Sequence, residues 1–499
     1  MTKDIRYVNK CPNKSGKNRY KTSMKITEDG KSETIYLIWG DRVEVLAEKG
    51  TRLEVRARGR KGTIDKTCVG TKNLLEVYVI DVGQGDCVLY QTPDQKWHVI
   101  DGGTHNARQM TQKGAPNFIR WKFYRDLGKR SIDIENMILS HPDLDHFGGL
   151  INILEGKLQD GRAFNINVEN FYHSGMGRFK SGAKLGKMKE GTVPPFPIKG
   201  HNMRRKDDFI YELLDDQESF ANPKRKFADI PYDWSFARLA ELVGEVPNNV
   251  AALSYKDEYV PGYGPGENDV QMRLLGPIIE DADKVSGLRE LSSESKTRNG
   301  HSVMVRLDYG NARLMLTGDT NDESQRLTLS YIAEEEFEAD VAKGCHHGAE
   351  DIYMKFVGAM AARATVISSG DNESYAHPRP VVMGASGFYG REVKEMVSKK
   401  TIPPLLYSTE LARSVKLELP SSVRIDEGRG RNRTRTTYRA DQADVKSSKS
   451  KYENLEKTPI STDLIYGLVN VRTDGKEIMC ATMEEQGSDF DLKVFKAGA

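Results

Sequence analysis

Cysteine is scarce in this 499-residue chain: Cys11, Cys68, Cys87, Cys345 and Cys480 are scattered, and no Cys-x-x-Cys pair occurs. An odd number of dispersed thiols argues against a disulfide framework and against a thiolate zinc knuckle, and points to a reduced, cytoplasmic setting. Long apolar runs are also missing. Met1 to Ser23 is basic and polar, without the apolar stretch of a signal peptide. No run approaches the roughly 20 residues needed to cross a bilayer, so no membrane association is expected. Charge of one sign is not in excess either. Lys and Arg number 74 against 72 Asp and Glu, a net +2, so any electrostatic reading has to be local. What remains, 38% hydrophobic and 29% charged residues, is the balance of a globular protein with enough apolar mass for a large core.

The chain divides by pattern. Residues 1–30, rich in Lys, Asn, Ser and Thr, read as a flexible lead-in. Over 31–72, the runs Ile35-Tyr36-Leu37-Ile38, Val43-Glu44-Val45-Leu46 and Leu53-Glu54-Val55-Arg56 are separated by Gly40-Asp41, Lys49-Gly50 and Gly59 to Gly62. Short alternating strands with such turns predict a small β-barrel, which resembles the bacterial Src-homology-3-like barrel and would offer a surface to a protein partner. Residues 73–499 read as one α/β domain. Strands are expected at Leu75 to Asp81, Cys87 to Tyr90, Trp97 to Asp101 and Ile134 to Ser140, and a helix over Leu150 to Leu158. Residues 160–295 read as an elaboration inserted between two strands, with a helix near Ser235 to Leu242. Strands resume at Val303 to Leu307 and Ala312 to Leu316, followed by a helix over Glu323 to Glu336. Residues 426–457, poor in apolar side chains and rich in Arg, Lys, Ser and Thr, read as a basic loop without fixed structure. Leu464 to Val471 and Glu477 to Met483 close the pattern as a hairpin around Thr473-Asp474-Gly475. The order of strands and helices predicts a four-layer αββα sandwich.

Only ten histidines occur in the chain. Two of them bracket two carboxylates in His141-Pro142-Asp143-Leu144-Asp145-His146, at the end of a predicted strand and just before Gly148-Gly149. Imidazole and carboxylate together suit zinc, manganese or iron rather than calcium. On an extended loop, alternate residues would face one ion, giving His141 and Asp143 to the first metal and Asp145 and His146 to the second. Asp319, after an apolar strand and Gly318, is placed to bridge two cations or to cap a helix. His346 and His347 are adjacent, so their side chains diverge, and one can ligate while the other contacts substrate. His377, in Tyr375-Ala376-His377-Pro378, is a last ligand, a proton donor to the leaving group, or a surface histidine.

The segment His141 to His146 is similar to the His-x-His-x-Asp-His signature of the metallo-β-lactamase superfamily, with Asp143 where a second His is common. That variant resembles the soluble, ComEC-like (competence-type) branch. Val79 to Asp86, Ile100-Asp101-Gly102-Gly103, Leu316-Thr317-Gly318-Asp319, Cys345-His346-His347-Gly348, His377-Pro378 and Arg472 to Gly475 resemble the family's other motifs in order. The resemblance implies a metal-dependent hydrolase with two divalent ions, zinc or manganese. Its metal ligands would be drawn from His141, Asp143, Asp145, His146, Asp319, His346 and His301, with Asn299 competing for the last place. Asp145, His377 and His347 would act on the nucleophile and the leaving group, and Asp101 and Asp81 would steady the ligands.

Three features lean toward phosphodiesters. The similar branch includes a DNA-uptake protein. Arg204-Arg205-Lys206 and Lys224-Arg225-Lys226 are basic patches outside the core pattern. Arg431 and Arg433 belong to an alternating arginine run with Tyr438 nearby for base stacking. A nuclease or phosphodiesterase acting on nucleic acid is therefore the leading expectation. A small-molecule phosphodiesterase and a non-catalytic binding module are the alternatives.

Overall fold

The computed structural model describes all residues except 1–2, 13–17, 29–30, 109–113, 159, 181–183, 197–203, 223–230, 284, 371–374, 410–415, 419–421, 428–433, 440, 442–443, 447–451, 455–459, 463–467, 484–488 and 499. Two large sheets face each other. The first has nine strands in the order Pro247–Ala252, Ile166–His173, Ile132–Leu139, Trp97–Ile100, Val88–Gln91, Leu75–Val79, Val469–Thr473, Glu477–Met483 and Phe490–Lys496. The second has six, in the order Val270–Gly276, Met304–Tyr309, Ala312–Leu316, Val341–Lys343, Ala364–Ile367 and Leu405–Ser408. Val77, Val79, Val88, Ile100 and Ile138 of the first meet Met272, Leu274, Val305, Leu307, Leu314 and Val366 of the second in one buried core. The outer face of the nine-stranded sheet is covered by Ala115–Arg120, Leu144–Leu154 and Trp234–Glu245, through Ile119, Leu150, Phe147, Phe236 and Leu239. Met315 and Ala342 on the other sheet's outer face pack on Phe337, Phe356 and Met360. Apolar side chains on both faces of each sheet require two inner and two outer layers, and the αββα arrangement follows.

Several expectations change. The lead-in 1–30 contains the strands Asp4–Val8 and Lys21–Glu28, which join a seven-stranded antiparallel sheet with Lys31–Ile38, Arg60–Asp65, Arg52–Ala57, Arg42–Lys49 and Val69–Gly70. Alternation buries Met24, Ile26, Leu37, Val43, Leu53, Val55 and Ile64 on one side of it. Among the described residues the ladder stays open between Lys31–Ile38 and Val69–Gly70, so the structure gives no closed barrel. The antiparallel pairing of Asp4–Val8 with Val69–Gly70 also corrects the reading of the cysteines. It brings Cys11 and Cys68, 57 residues apart, to a Cα separation of 4.9 Å, and they form a disulfide. That removes the sequence argument for a reduced compartment.

The 160–295 stretch is not a simple insertion. It supplies Ile166–His173 and Pro247–Ala252 to the first sheet and Val270–Gly276 to the second. The added part is a four-stranded sheet of Met188–Phe196, Arg204–Ile210, Val285–Arg289 and Glu280–Ala282. Its centre is Arg289, fully buried and paired with Glu280 at 2.6 Å and Asp207 at 2.7 Å. Residues 411–466 form, with 484–487, a compact unit of their own. Within the basic stretch expected to lack structure, Ser422–Glu427 pairs with Thr434–Arg439, and Asp444–Lys446 with Tyr452–Asn454. Among the described residues, no helix is long and apolar enough to cross a membrane.

Candidate metal centre

Strand direction assembles the site. Trp97–Ile100 runs parallel to Ile132–Leu139, and Ala312–Leu316 to Val341–Lys343 and on to Ala364–Ile367. The carboxyl ends of parallel strands lie together. They deliver Asp101, His141, Asp319, His346, His347 and His377 to one edge of the sandwich. Four side chains there, Asp86, His146, Asp319 and His347, place one donor atom each within 4.8 Å of one another, and all four are buried.

The expected extended loop is in fact a helix start. The helix spans Leu144–Leu154 with Asp143 at its N-cap, so Asp145 and His146 lie in the first turn and the two-residue alternation does not apply. His146 turns inward. Its Nε2 is 3.1 Å from Asp319 Oδ2 and 3.2 Å from His347 Nε2, and its Nδ1 is 2.8 Å from Asp101 Oδ2. Asp143 turns the other way. Its Oδ1 accepts from Arg178 Nη1 at 2.8 Å and Arg298 Nε at 2.7 Å. A carboxylate so occupied does not reach the cluster, and Asp143 is corrected from ligand to anchor of two arginines.

His141 lies beside the cluster. Ser140 Oγ and Ser302 Oγ lie 3.0 and 3.2 Å from its Nδ1. Its Nε2 lies 4.0 Å from Asp319 Oδ2 and has no hydrogen-bond partner, although the residue is 1% exposed. Desolvation and the neighbouring His146 hold His141 well below the usual histidine range, so it presents a neutral lone pair. Donors about 2 Å from a shared ion are some 3–4 Å apart, the spacing found here. An orphaned imidazole nitrogen facing a carboxylate across that gap fits a divalent cation.

His347 closes the cluster. Its Nε2 is 2.9 Å from Asp319 Oδ2 and 3.7 Å from Asp145 Oδ2, and its Nδ1 is 3.2 Å from Asp86 Oδ1. Buried on both nitrogens, it is one of the four side chains that could hold a metal ion, and it lies away from the exposed cleft where a leaving group would be protonated. His346 Nε2 is 4.0 Å from Asp319 Oδ2. It also faces the Asn299 amide, which, with its oxygen turned toward that ring, accepts at 3.2 Å and donates to Asp143 Oδ2 at 2.9 Å. Both histidines have left-handed backbones, φ 46° and 53°, as does Asp101 at 59°. Such conformations cost non-glycine residues of order 1–3 kcal/mol and gather where side chains must be aimed. His301 is elsewhere, its Nε2 2.7 Å from the Arg289 carbonyl oxygen, and is not a ligand in this arrangement. Asp101 is bonded to both Ser140 and His146. It accepts from the Ser140 amide at 2.8 Å and from its hydroxyl at 2.6 Å while holding His146. Asp81 accepts from the Gly83 amide at 3.1 Å and thereby shapes the turn before Asp86. In that turn a Cβ at Gly85, φ 114°, would overlap the Asp145 carbonyl oxygen, so only glycine lets the two segments meet.

Two residues of the buried cluster, and the arginines of the cleft beside it, were not singled out by the sequence pattern. Asp86 precedes the apolar strand Val88–Gln91, and Lys343 ends the buried strand Val341–Lys343. Lys343 Nζ is ion-paired with Asp86, donates to the Gly318 carbonyl oxygen at 2.8 Å and lies 3.5 Å from Asp319 Oδ1. A charged residue in a fully buried three-residue strand was the available signal. Desolvation opposes charge here, yet Asp319 and Asp101 hold His146 well above its ordinary range, and Asp319 and Asp86 lift His347 to about 10. Asp319 itself, despite desolvation, is held well below the carboxylate range by His146, His347 and Lys343. The acids thus favour positive charge on the very nitrogens that would ligate.

Above the cluster opens a cleft of about 510 Å³ lined by Gln84, Arg108, Asp145, Arg178, Arg298 and Tyr375, among others. Asp145 Oδ2 accepts from Gln84 Nε2 at 3.3 Å on its wall. Desolvation, His347 and His346 lower His377 to about 4. It is half-buried, with an unpartnered Nδ1 and its ring 6.1 Å from that of His346. Arg204 and Arg205 lie on the strand Arg204–Ile210, with side chains outside the described set. Arg431 and Arg433 lie outside the described residues altogether.

The family model of the metallo-beta-lactamase superfamily matches residues 80–157, which include Asp86, Asp101, His141, Asp145 and His146. The chain carries a metallo-beta-lactamase superfamily domain. It is 23% identical over 317 residues to ComE operon protein 3 of Bacillus subtilis (strain 168), covering 62% of this chain and 30% of that protein. The chain thus spans about a third of the length of that curated relative. Among solved structures, the metallo-beta-lactamase fold protein YhfI of Bacillus subtilis aligns with TM-score 0.29 and 11% identity, over 63% of this chain and 93% of the other. Unliganded yeast PDE1 aligns with TM-score 0.30 and 10% identity, over 63% and 93%. A diphosphatase of the PhnP family aligns with TM-score 0.27 and 11% identity, over 60% and 88%.

Proposed function

We propose that this metallo-beta-lactamase superfamily domain is a metal-dependent phosphodiesterase whose substrate is nucleic acid. The observation that carries the reading is the meeting of a buried Asp–His cluster with an arginine-lined cleft. His146, His347, Asp319 and His141 would hold the ion, with Asp145 at the boundary between cluster and cleft. A mixed imidazole and carboxylate set suits Mn²⁺ or Zn²⁺. Such an ion, when bound, supplies Lewis acidity and a water that loses its proton near neutral pH.

The chain's own residues do the rest. Asp145, fixed by Gln84, orients the attacking water. Arg178 has one contact on Asp143 and a partly exposed side chain, at 32%, and with the exposed Arg108 it receives non-bridging phosphate oxygens. Arg298, held by both Asp143 and Glu294, sets the position of Asp143 and hence of Arg178. Tyr375, 51% exposed at the cleft, offers a ring face to a base.

A second reading has one observation in its favour. The cleft volume is that of a small-ligand site, as a phosphodiesterase acting on a nucleotide signal would need. One experiment separates them. The full chain, stripped with chelator and reloaded with Mn²⁺ or Zn²⁺, is assayed on single- and double-stranded DNA, on RNA, on cyclic dinucleotides and on bis-nitrophenyl phosphate. Cleavage of polynucleotides that weakens with salt and with Arg178→Ala supports the first reading. Turnover of cyclic dinucleotides alone supports the second, and no metal-dependent turnover of any phosphodiester defeats both.

A further inference from the structure

A carboxylate that bridges two metal ions offers one oxygen to each. In Asp319 a cation of the chain already faces one of the two. Oδ2 faces the imidazoles of His347, His146, His141 and His346 at 2.9 to 4.0 Å. Oδ1 faces the ammonium of Lys343 at 3.5 Å. That ammonium is itself 2% exposed and fixed on Asp86 and on the Gly318 carbonyl oxygen, so it is part of the built site.

Three of the expected ligands are engaged elsewhere. Asp143, expected to serve one ion with His141, is taken by Arg178 and Arg298. His301 hydrogen-bonds a main-chain carbonyl away from the cluster. Asn299 bridges His346 and Asp143 through its amide.

We propose that the Lys343 ammonium stands as the second cation of the site, so that the cluster holds one divalent ion, not two. A lysine supplies a compact positive charge that needs no recruitment from solution. Its charge faces Asp319 Oδ1 at 3.5 Å, while Oδ2 faces the imidazoles. Asp86, in turn, is a lysine partner as well as a neighbour of His347. Lys343 is thus a positioning residue, removed from the cleft. The inference rests on reading the cluster as a metal site, and the test separates failure of one from failure of the other.

The test is metal stoichiometry. The full wild-type chain is stripped with chelator, equilibrated with Mn²⁺ and, in parallel, Zn²⁺, passed through a desalting column and analysed by elemental mass spectrometry. About one equivalent per chain is expected; about two overturns the inference; none overturns the metal reading beneath it. Lys343→Gln, with its fold checked by circular dichroism, is expected to rise toward about two equivalents, whereas Lys343→Arg stays near one. A folded Lys343→Gln that stays at one equivalent overturns the role given to the lysine. Should Lys343→Gln fail to fold, anomalous scattering from Mn²⁺-soaked wild-type crystals decides. A single peak beside His146 and His347 supports the inference, and a second peak between Asp86 and Asp319 overturns it.

Discussion

Two buried charged clusters in this protein are built differently. The first ties the N-terminal sheet to the sandwich. Arg472 contacts Asp41 at 2.8 Å, the Trp39 carbonyl oxygen at 2.7 Å and Glu76 at 3.5 Å. Asp41 also receives Arg58 at 2.7 Å, while Lys122 holds Asp126 at 2.7 Å and the Tyr78 hydroxyl at 2.9 Å. Three cations meet three carboxylates, and none of the six has an orphaned polar atom among those described. The second cluster sets Asp86, Asp101 and Asp319 against Lys343 and the imidazoles of His146 and His347, and leaves His141 Nε2 and Asp319 Oδ1 without hydrogen bonds. A buried charge has to be paired. The closed cluster does that internally and holds the structure together, whereas the open one calls for a cation from outside.

Breaking each cluster should therefore give different results. The largest effect is expected at Asp319. Asp319→Ala should lower metal-dependent phosphodiester hydrolysis by about a thousandfold or more, with metal retention lost in the same preparation; retained metal with lost activity would blur the contrast. Next is the closed cluster. Arg472→Ala takes the arginine from Glu76 and leaves Asp41 with Arg58, and should cost about 3–5 kcal/mol in denaturant unfolding, while the metal content of the remaining folded protein is unchanged. Third, Asp101→Ala removes the acceptor that orients His146, and should weaken metal affinity about 10- to 100-fold by competition titration without abolishing binding.

The smallest effect is a pH dependence. In the metal-free protein His347 is raised from 6.5 to about 10. A raised histidine adds stability below its unfolded value and loses it as pH climbs through the folded one. Melting of the stripped protein should thus decline between about pH 7 and pH 10, and metal should flatten that decline. The closed cluster behaves oppositely. Desolvation opposes ionisation of Asp41, but Arg58, Arg472 and the Ile38 amide hold it at about 2. Its contribution is present above the ordinary carboxylate value and is lost only as pH falls through about 2.

The sandwich was legible because its strands are short apolar runs with turn residues between them, and the open cluster because histidine is rare and five of the ten converge in motifs at strand ends. The rest depended on contacts that sequence spacing does not carry. Asp143 and Asp145 look equivalent in the sequence. The helix beginning at Leu144 sends one to Arg178 and Arg298, 35 and 155 residues away, and keeps the other at the site. Lys343 reads as an ordinary strand-end lysine until Asp86, from a distant turn, is laid beside it. The lead-in 1–30 reads as loose because its strands are polar on one side, and the apolar alternation of Met24 and Ile26 is too brief to stand out.

The central claim, that the open cluster is completed by a divalent cation, is tested most directly by the melting temperature of the chelator-stripped chain with and without Mn²⁺ or Zn²⁺. The comparison protein is Asp319→Asn, which keeps the side-chain shape and removes the charge. A ligand that binds only the folded state raises stability with its concentration. A metal-dependent rise in the wild type that is absent in Asp319→Asn is the predicted result. Equal behaviour of the two proteins, whether both shift or neither does, would contradict it.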